Sequence, residues 1–152
     1  MPQFITYILC GFVVLFIELT LWGVTAGPAN ALPYFILFGA LLVFLIAAPA
    51  ALFTPRIAAC IAIVGSVPIL AWPVEILIRE HDFVGTAVCG APALITIVVA
   101  MSYLWKTRSH RWLSLSRSPH LAIRIPASLI PLAVFVLYFN APLILEVVFH
   151  GP

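Results

Sequence analysis

Residues 32–53 run for 22 positions without one charged side chain, and no other feature constrains the chain as strongly. A helix of that length rises about 33 Å, enough to cross the hydrocarbon core of a bilayer. Backbone N–H and C=O groups in hydrocarbon must be satisfied within the segment itself, so the run reads as a spanning helix. Four further apolar runs follow the same logic, and the spans expected are about 4–26, 32–53, 57–78, 84–105 and 125–149. The expected fold class is all-α: a polytopic transmembrane helix bundle of five spanning helices, forming one integral membrane domain over 1–152.

Composition argues against a soluble fold, since 64% of the residues are hydrophobic, only 8% are charged and the mean hydropathy is +1.22. A water-soluble domain of this size could not hide so much apolar surface. A β-barrel would require apolar and polar residues to alternate, whereas these runs are continuously apolar. Ala29-Asn30-Ala31 has the form of a signal-peptide cleavage site. Against cleavage, no Lys or Arg precedes the first run, the run is longer than a signal core, and it carries Glu18. The first run is therefore read as a retained helix, with Tyr7, Gly11, Glu18, Trp22 and Thr25 at helical spacing on the face that looks into the bundle.

The loop 106–124 sets the orientation. It carries Lys106, Arg108, Arg111, Arg117 and Arg124, five of the seven basic residues, and no acid. Lys and Arg in short loops mark the cytoplasmic side, so the N-terminus is expected inside and the C-terminus outside. Arg56, in the other inner loop, agrees. The expected location is a bacterial inner (plasma) membrane. Anionic lipid headgroups are the expected partners of these five cations, with the acidic surface of a partner protein as the competing use. A charge cluster enclosed between spans argues against nucleic acid.

This orientation gathers all five acids in the outer half. Glu18 lies roughly 12 Å below the outer end of the first span. Glu75 and Glu146 lie about one turn below the outer ends of theirs. Glu80 and Asp82 flank His81 in an outer loop, and His150 follows Glu146 by four residues. Glu18, Glu75 and Glu146 are the candidates for handling a proton or cation, because an ionisable group in hydrocarbon is costly and turns towards the bundle or a wet cavity. The structural alternative for Glu18 is a carboxyl hydrogen-bonded to a neighbouring helix. For Glu75 it is an ion pair with Arg79 at i,i+4.

Carboxylate and imidazole suit zinc, iron or manganese, so Glu75, His81, Asp82, Glu146 and His150 form a candidate outer metal set, although no HExxH-type spacing supports it. No catalytic residue is assigned. Ser114, Ser116 and Ser118 have no triad partner, and His110 and His120 lie among arginines. No cofactor is expected, because the spans lack the histidines that haem would require. Cys10, Cys60 and Cys89 read as packed apolar residues.

Ala47 and Ala51, then Ala58, Ala62 and Gly65, then Gly85, Cys89 and Ala93 form stripes of small residues suited to close helix contact. Pro68 and Pro73 are expected to bend the third helix and leave its outer end irregular. Ala71-Trp72-Pro73 holds the one Trp-Pro step; the tryptophan-rich sensory proteins, similar in helix number, repeat such steps, and no family is assigned.

The function expected is that of a small scaffold or accessory subunit in a larger membrane assembly, with other membrane subunits or further copies of this chain as partners. The alternative is a small oligomeric transporter or proton/cation channel using Glu18 and the outer carboxylates. The third is a membrane enzyme with a metal at the outer mouth. The orientation is tested by Leu115→Cys: a membrane-impermeant maleimide should label this position in inverted vesicles and leave it unlabelled in intact cells, and the reverse pattern rejects the topology.

Overall fold

The structure is a computed structural model that describes residues 2–25, 32–107 and 121–150, with side chains described for 2–18, 32–79, 81–107, 123–137 and 140. Among the described residues the chain is all-helical, in five helices: α1 (Pro2–Thr25), α2 (Leu32–Phe53), α3 (Pro55–Glu80), α4 (Phe83–Lys106) and α5 (Leu121–His150). Three of them, α2, α3 up to Arg79, and α4, are long and apolar enough to cross a membrane. Pro2–Glu18 and Ile123–Leu137 are shorter apolar stretches of α1 and α5.

Connections in the centre of the chain are minimal, and their chemistry explains them. Thr54 alone separates α2 from α3, with its backbone N–H donating to the Ala50 carbonyl at 2.7 Å. Pro55 then opens α3 at a position where a missing N–H costs nothing. Only His81 and Asp82 separate α3 from α4. His81 takes a left-handed conformation (φ 53°) that terminates α3, and the Asp82 carboxylate accepts the Val84 N–H at 2.9 Å to start α4. These short links place α2, α3 and α4 side by side with alternating directions.

Close packing depends on small residues. At the α2–α3 crossing, Gly39 and Gly65 face each other: a Cβ on Gly39 would fall on the Gly65 carbonyl oxygen, and one on Gly65 would come within 3.0 Å of the Gly39 carbonyl. Ala47, Ala58 and Ala62 are fully buried and Ala93 almost so, while Ala51, Gly85 and Cys89 from the same stripes are half-buried. On α1, Gly11 lies against the backbone of Phe44, and Tyr7, Val14, Leu15 and Glu18 are buried. The side chains of Trp22 and Thr25, expected on that face, lie outside the described residues.

Two local features depart from the sequence expectation. Helix α3 continues without interruption to Glu80, although Pro68 and Pro73 lie inside it, so its C-terminal end, expected to be irregular, is regular. Both rings are seated in glycine notches: Pro68 packs at Gly39 of α2, and Pro73 at Gly90 of α4. Neighbouring helices thus support the turns where each proline removes a backbone hydrogen bond. The other feature is a π-helical segment, Leu42–Ala47, within α2, ending with the Ala48 N–H bonded to the Val43 carbonyl. Pro49 supplies a physical reason, because a proline ring clashes with the carbonyl four residues back and a widened preceding turn relieves the clash. The widened turn carries the fully buried Phe44, whose ring lies 6.1 Å from that of Phe12.

Helix α5 is attached differently. Its main contact is with Ala48–Phe53 at the end of α2, with a smaller one to Leu42–Ala47. Pro131 is buried, whereas Ile125, Leu129, Ile130, Leu132, Val136 and Leu137 are exposed. The α2–α3 crossing should be the most substitution-sensitive point in the fold. Gly39→Ala should cost about 1–3 kcal/mol of stability through overpacking, read as a lowered melting temperature in detergent.

Candidate functional site

Antiparallel packing sorts the polar residues into two ends and one isolated buried carboxylate. Glu18, four turns into α1, is 1% exposed, and its Oε1 has no hydrogen-bond partner among the described residues. Its helix places it in the bundle because it follows Tyr7, Gly11, Val14 and Leu15 on the inward face. An ionised carboxylate at such a place costs about 2.5–3.5 kcal/mol even on insertion-based scales, so the residue is either neutral or matched by a cation.

The acidic end comprises the C-terminal turns of α3 and the start of α4. Glu75 and Arg79 form the expected i,i+4 ion pair at 3.1 Å, with Arg79 largely exposed, so the pair contributes little to stability. The two residues border an apolar groove of about 390 Å³, lined also by Leu32, Ala71, Val74 and Ile78. Asp82 is committed to the N-cap of α4; its backbone carbonyl also accepts from the Thr86 hydroxyl at 2.6 Å. His81 is exposed in the turn. Among the described residues no three His, Cys, Asp or Glu side chains are placed to hold a metal ion. Glu75, His81 and Asp82 therefore form no such group by themselves, and the side chains of Glu80, Glu146 and His150 lie outside the described residues.

The basic end unites the start of α1, the α2–α3 turn, the end of α4 and the start of α5. Arg56 is 5% exposed, and its Nε donates to the Thr107 hydroxyl at 3.2 Å; that hydroxyl donates to the Tyr103 carbonyl at 2.8 Å. Arg124 reaches across from α5 and donates to the Leu52 carbonyl at 2.9 Å. A cation at the last carbonyls of a helix satisfies an acceptor that α2 leaves open and opposes the negative end of its dipole. Lys106 is exposed in the last turn of α4. Pro2, Gln3, Ala51, Leu52, Pro55, Tyr103 and Arg124 line a half-open cavity of about 220 Å³. Gln3 is 7% exposed, and its Nε2 donates to the hydroxyl of the fully buried Tyr7 at a long 3.5 Å. Arg108, Arg111 and Arg117, and with them His110, His120 and the three loop serines, lie outside the described residues.

Sequence reasoning located Arg56 and Arg124 only as charges. It missed Gln3, Tyr103 and Thr107 as partners at the same end; the available signal was that Gln3 and Tyr103 are polar residues at the ends of apolar helices. Cys10, Cys60 and Cys89 are free thiols, each half-buried. No protein-family model, curated protein or solved structure matches the chain.

Asp82 offers a clean test of this assignment at the acidic end. Asp82→Ala should lower stability by about 1 kcal/mol through loss of the cap, whereas Asp82→Asn should stay close to wild type. Thermal unfolding of the two variants in the same detergent distinguishes a capping residue from one that holds a cation.

Proposed function

We propose that the protein is a small scaffold or accessory subunit of a larger membrane assembly. In this reading it is a multi-pass protein of the bacterial inner membrane, its five helices spanning with the N-terminus cytoplasmic and the C-terminus outside. The observation that carries the proposal is the attachment of α5, whose main contact among the described residues is with one end of α2. Lipid is as apolar as leucine, so a spanning helix gains little by exchanging lipid for lipid. It gains by close van der Waals packing and by interhelical hydrogen bonds. The exposed aliphatic residues of α5 suit lipid and protein alike, but the exposed Asn140, whose Nδ2 donates to the Val136 carbonyl at 2.8 Å, presents an amide that a neighbouring helix can hydrogen-bond and acyl chains cannot. Solubilised in mild detergent, the protein should carry a stoichiometric membrane partner. Leu129→Trp with Val136→Trp should deplete that partner about tenfold without loss of helicity, a change in binding of roughly 1.4 kcal/mol. Isolation as a pure homo-oligomer would count against the reading.

A second reading has its own observation. The Oε1 of Glu18, without a partner among the described residues, supports a proton- or cation-handling carboxylate in a small oligomeric transporter or channel. In proteoliposomes with an imposed proton gradient, Glu18→Gln should then abolish a flux that the wild type supports. Equal flux in both would remove Glu18 from any conduction path.

A further inference from the structure

We propose that the cavity at the basic end is a binding site for a phosphate-type oxyanion, the phosphate of a membrane lipid or free inorganic phosphate. This inference is independent of the partner assigned to α5. Its first support is space: about 220 Å³ compares with a share of about 30 Å³ for one water molecule in the liquid, so a tetrahedral oxyanion fits with waters to spare.

Charge is the second support. Arg56, Lys106 and Arg124 converge on this end, and the sequence contains no Asp or Glu between Asp82 and Glu146. Of the acids that share a helix with the cavity wall (Glu18, Glu75, Glu80 and Glu146), the nearest along its helix is Glu18, fifteen residues beyond Gln3 and therefore roughly 22 Å away. The described ion pair, Glu75–Arg79, belongs to the opposite end of α3. The chain thus brings cations together at an end where its sequence places no Asp or Glu, which favours an anionic ligand.

Donor chemistry is the third. A guanidinium is planar and carries five N–H donors in a fixed fork, which matches the oxygens of a phosphate better than an ammonium does. The bond from Arg124 to the Leu52 carbonyl ties that guanidinium to the backbone of α2 and fixes its place in the wall. Gln3 adds an amide and Tyr103 a phenol, both neutral groups able to donate to an anionic oxygen. Gln3 is more than nine-tenths buried, so the polar wall belongs to the folded interior rather than to loose surface residues. Arg56, held by Thr107 beside Pro55, contributes field without lining the cavity.

The experiment uses the intact 152-residue chain in a non-ionic detergent, with melting followed by tryptophan fluorescence. Four additions are compared: inorganic phosphate, chloride at the same ionic strength, dioctanoyl phosphatidylglycerol, and dioctanoylglycerol, which has the same chains without the phosphate. A melting temperature raised by phosphatidylglycerol, and not by dioctanoylglycerol or inorganic phosphate, supports the site with lipid as its source. A rise with inorganic phosphate over chloride supports the site with free phosphate as its source. No rise over the matched control with either addition overturns the proposal. Ala51→Met fills the cavity without altering charge and should weaken binding at least about tenfold, whereas general attraction to a basic surface would be unmoved. Unchanged affinity in Ala51→Met also overturns the proposal. Arg124→Lys should bind more weakly than wild type through loss of the fork, and equal affinity counts against the assigned role of Arg124.

Discussion

The crossing of α2 and α3 at Gly39 and Gly65 is the contact on which the rest of the bundle depends. The hinge between these helices is one residue, Thr54, so there is no slack in the connection to absorb a wider separation. Two glycines let the backbones touch, and Pro68 of α3 drops into the same notch. With that spacing set, the second proline of α3 meets Gly90 of α4, and the pairing propagates across three helices. The π-helical segment of α2 belongs to the same system, because it turns Phe44 onto Gly11 of α1 while accommodating Pro49. Prolines that would disrupt isolated helices are here part of how the helices fit together.

This packing leaves polar groups in three places of different character. The acidic end is chemically occupied: Glu75 is paired and Asp82 caps a helix. The basic end is also organised, since Arg56 and Arg124 each tie two helices together, yet it lines a half-open cavity and accumulates charge of one sign. Among the described residues, Glu18 alone is both buried and short of a partner for one of its oxygens. The three places correspond to three physical roles: helix termination, recognition of an external anion, and a carboxylate whose satisfaction requires something the described residues do not provide.

Much of the fold was legible because the bilayer imposes length and apolarity on any spanning segment. The expected ranges 32–53 and 84–105 agree with α2 and α4 to within a residue, and 57–78 lies within α3. The site was legible in part. The inward position of Glu18 followed from its spacing to Tyr7 and Gly11, and the Glu75–Arg79 pair from its i,i+4 register. The basic cavity was not legible, because Gln3, Leu52, Tyr103 and Arg124 come from four helices and share no pattern in the chain. The unbent course of α3 was missed for a related reason: whether a proline kinks a helix depends on what its ring meets, and Gly39 and Gly90 are on other helices.

By itself the sequence determined that the chain is helical, where its helices lie to within four residues (α5 begins at Leu121 rather than at 125, which places Arg124 in a helix), and that its positive charge gathers between residues 106 and 124. These are properties of a segment and its solvent, set by hydropathy, length and the need to satisfy backbone groups locally. Tertiary structure alone decided which faces touch, where α2 widens, that α5 meets the end of α2, and that the first turn of α1 completes a pocket with Arg124. The physical reason is that these helices are apolar on nearly every side, so hydrophobicity does not distinguish a face turned to lipid from one turned to protein. That choice falls to shape, to the fit of glycine notches and proline rings, and to the few polar atoms that must find a partner.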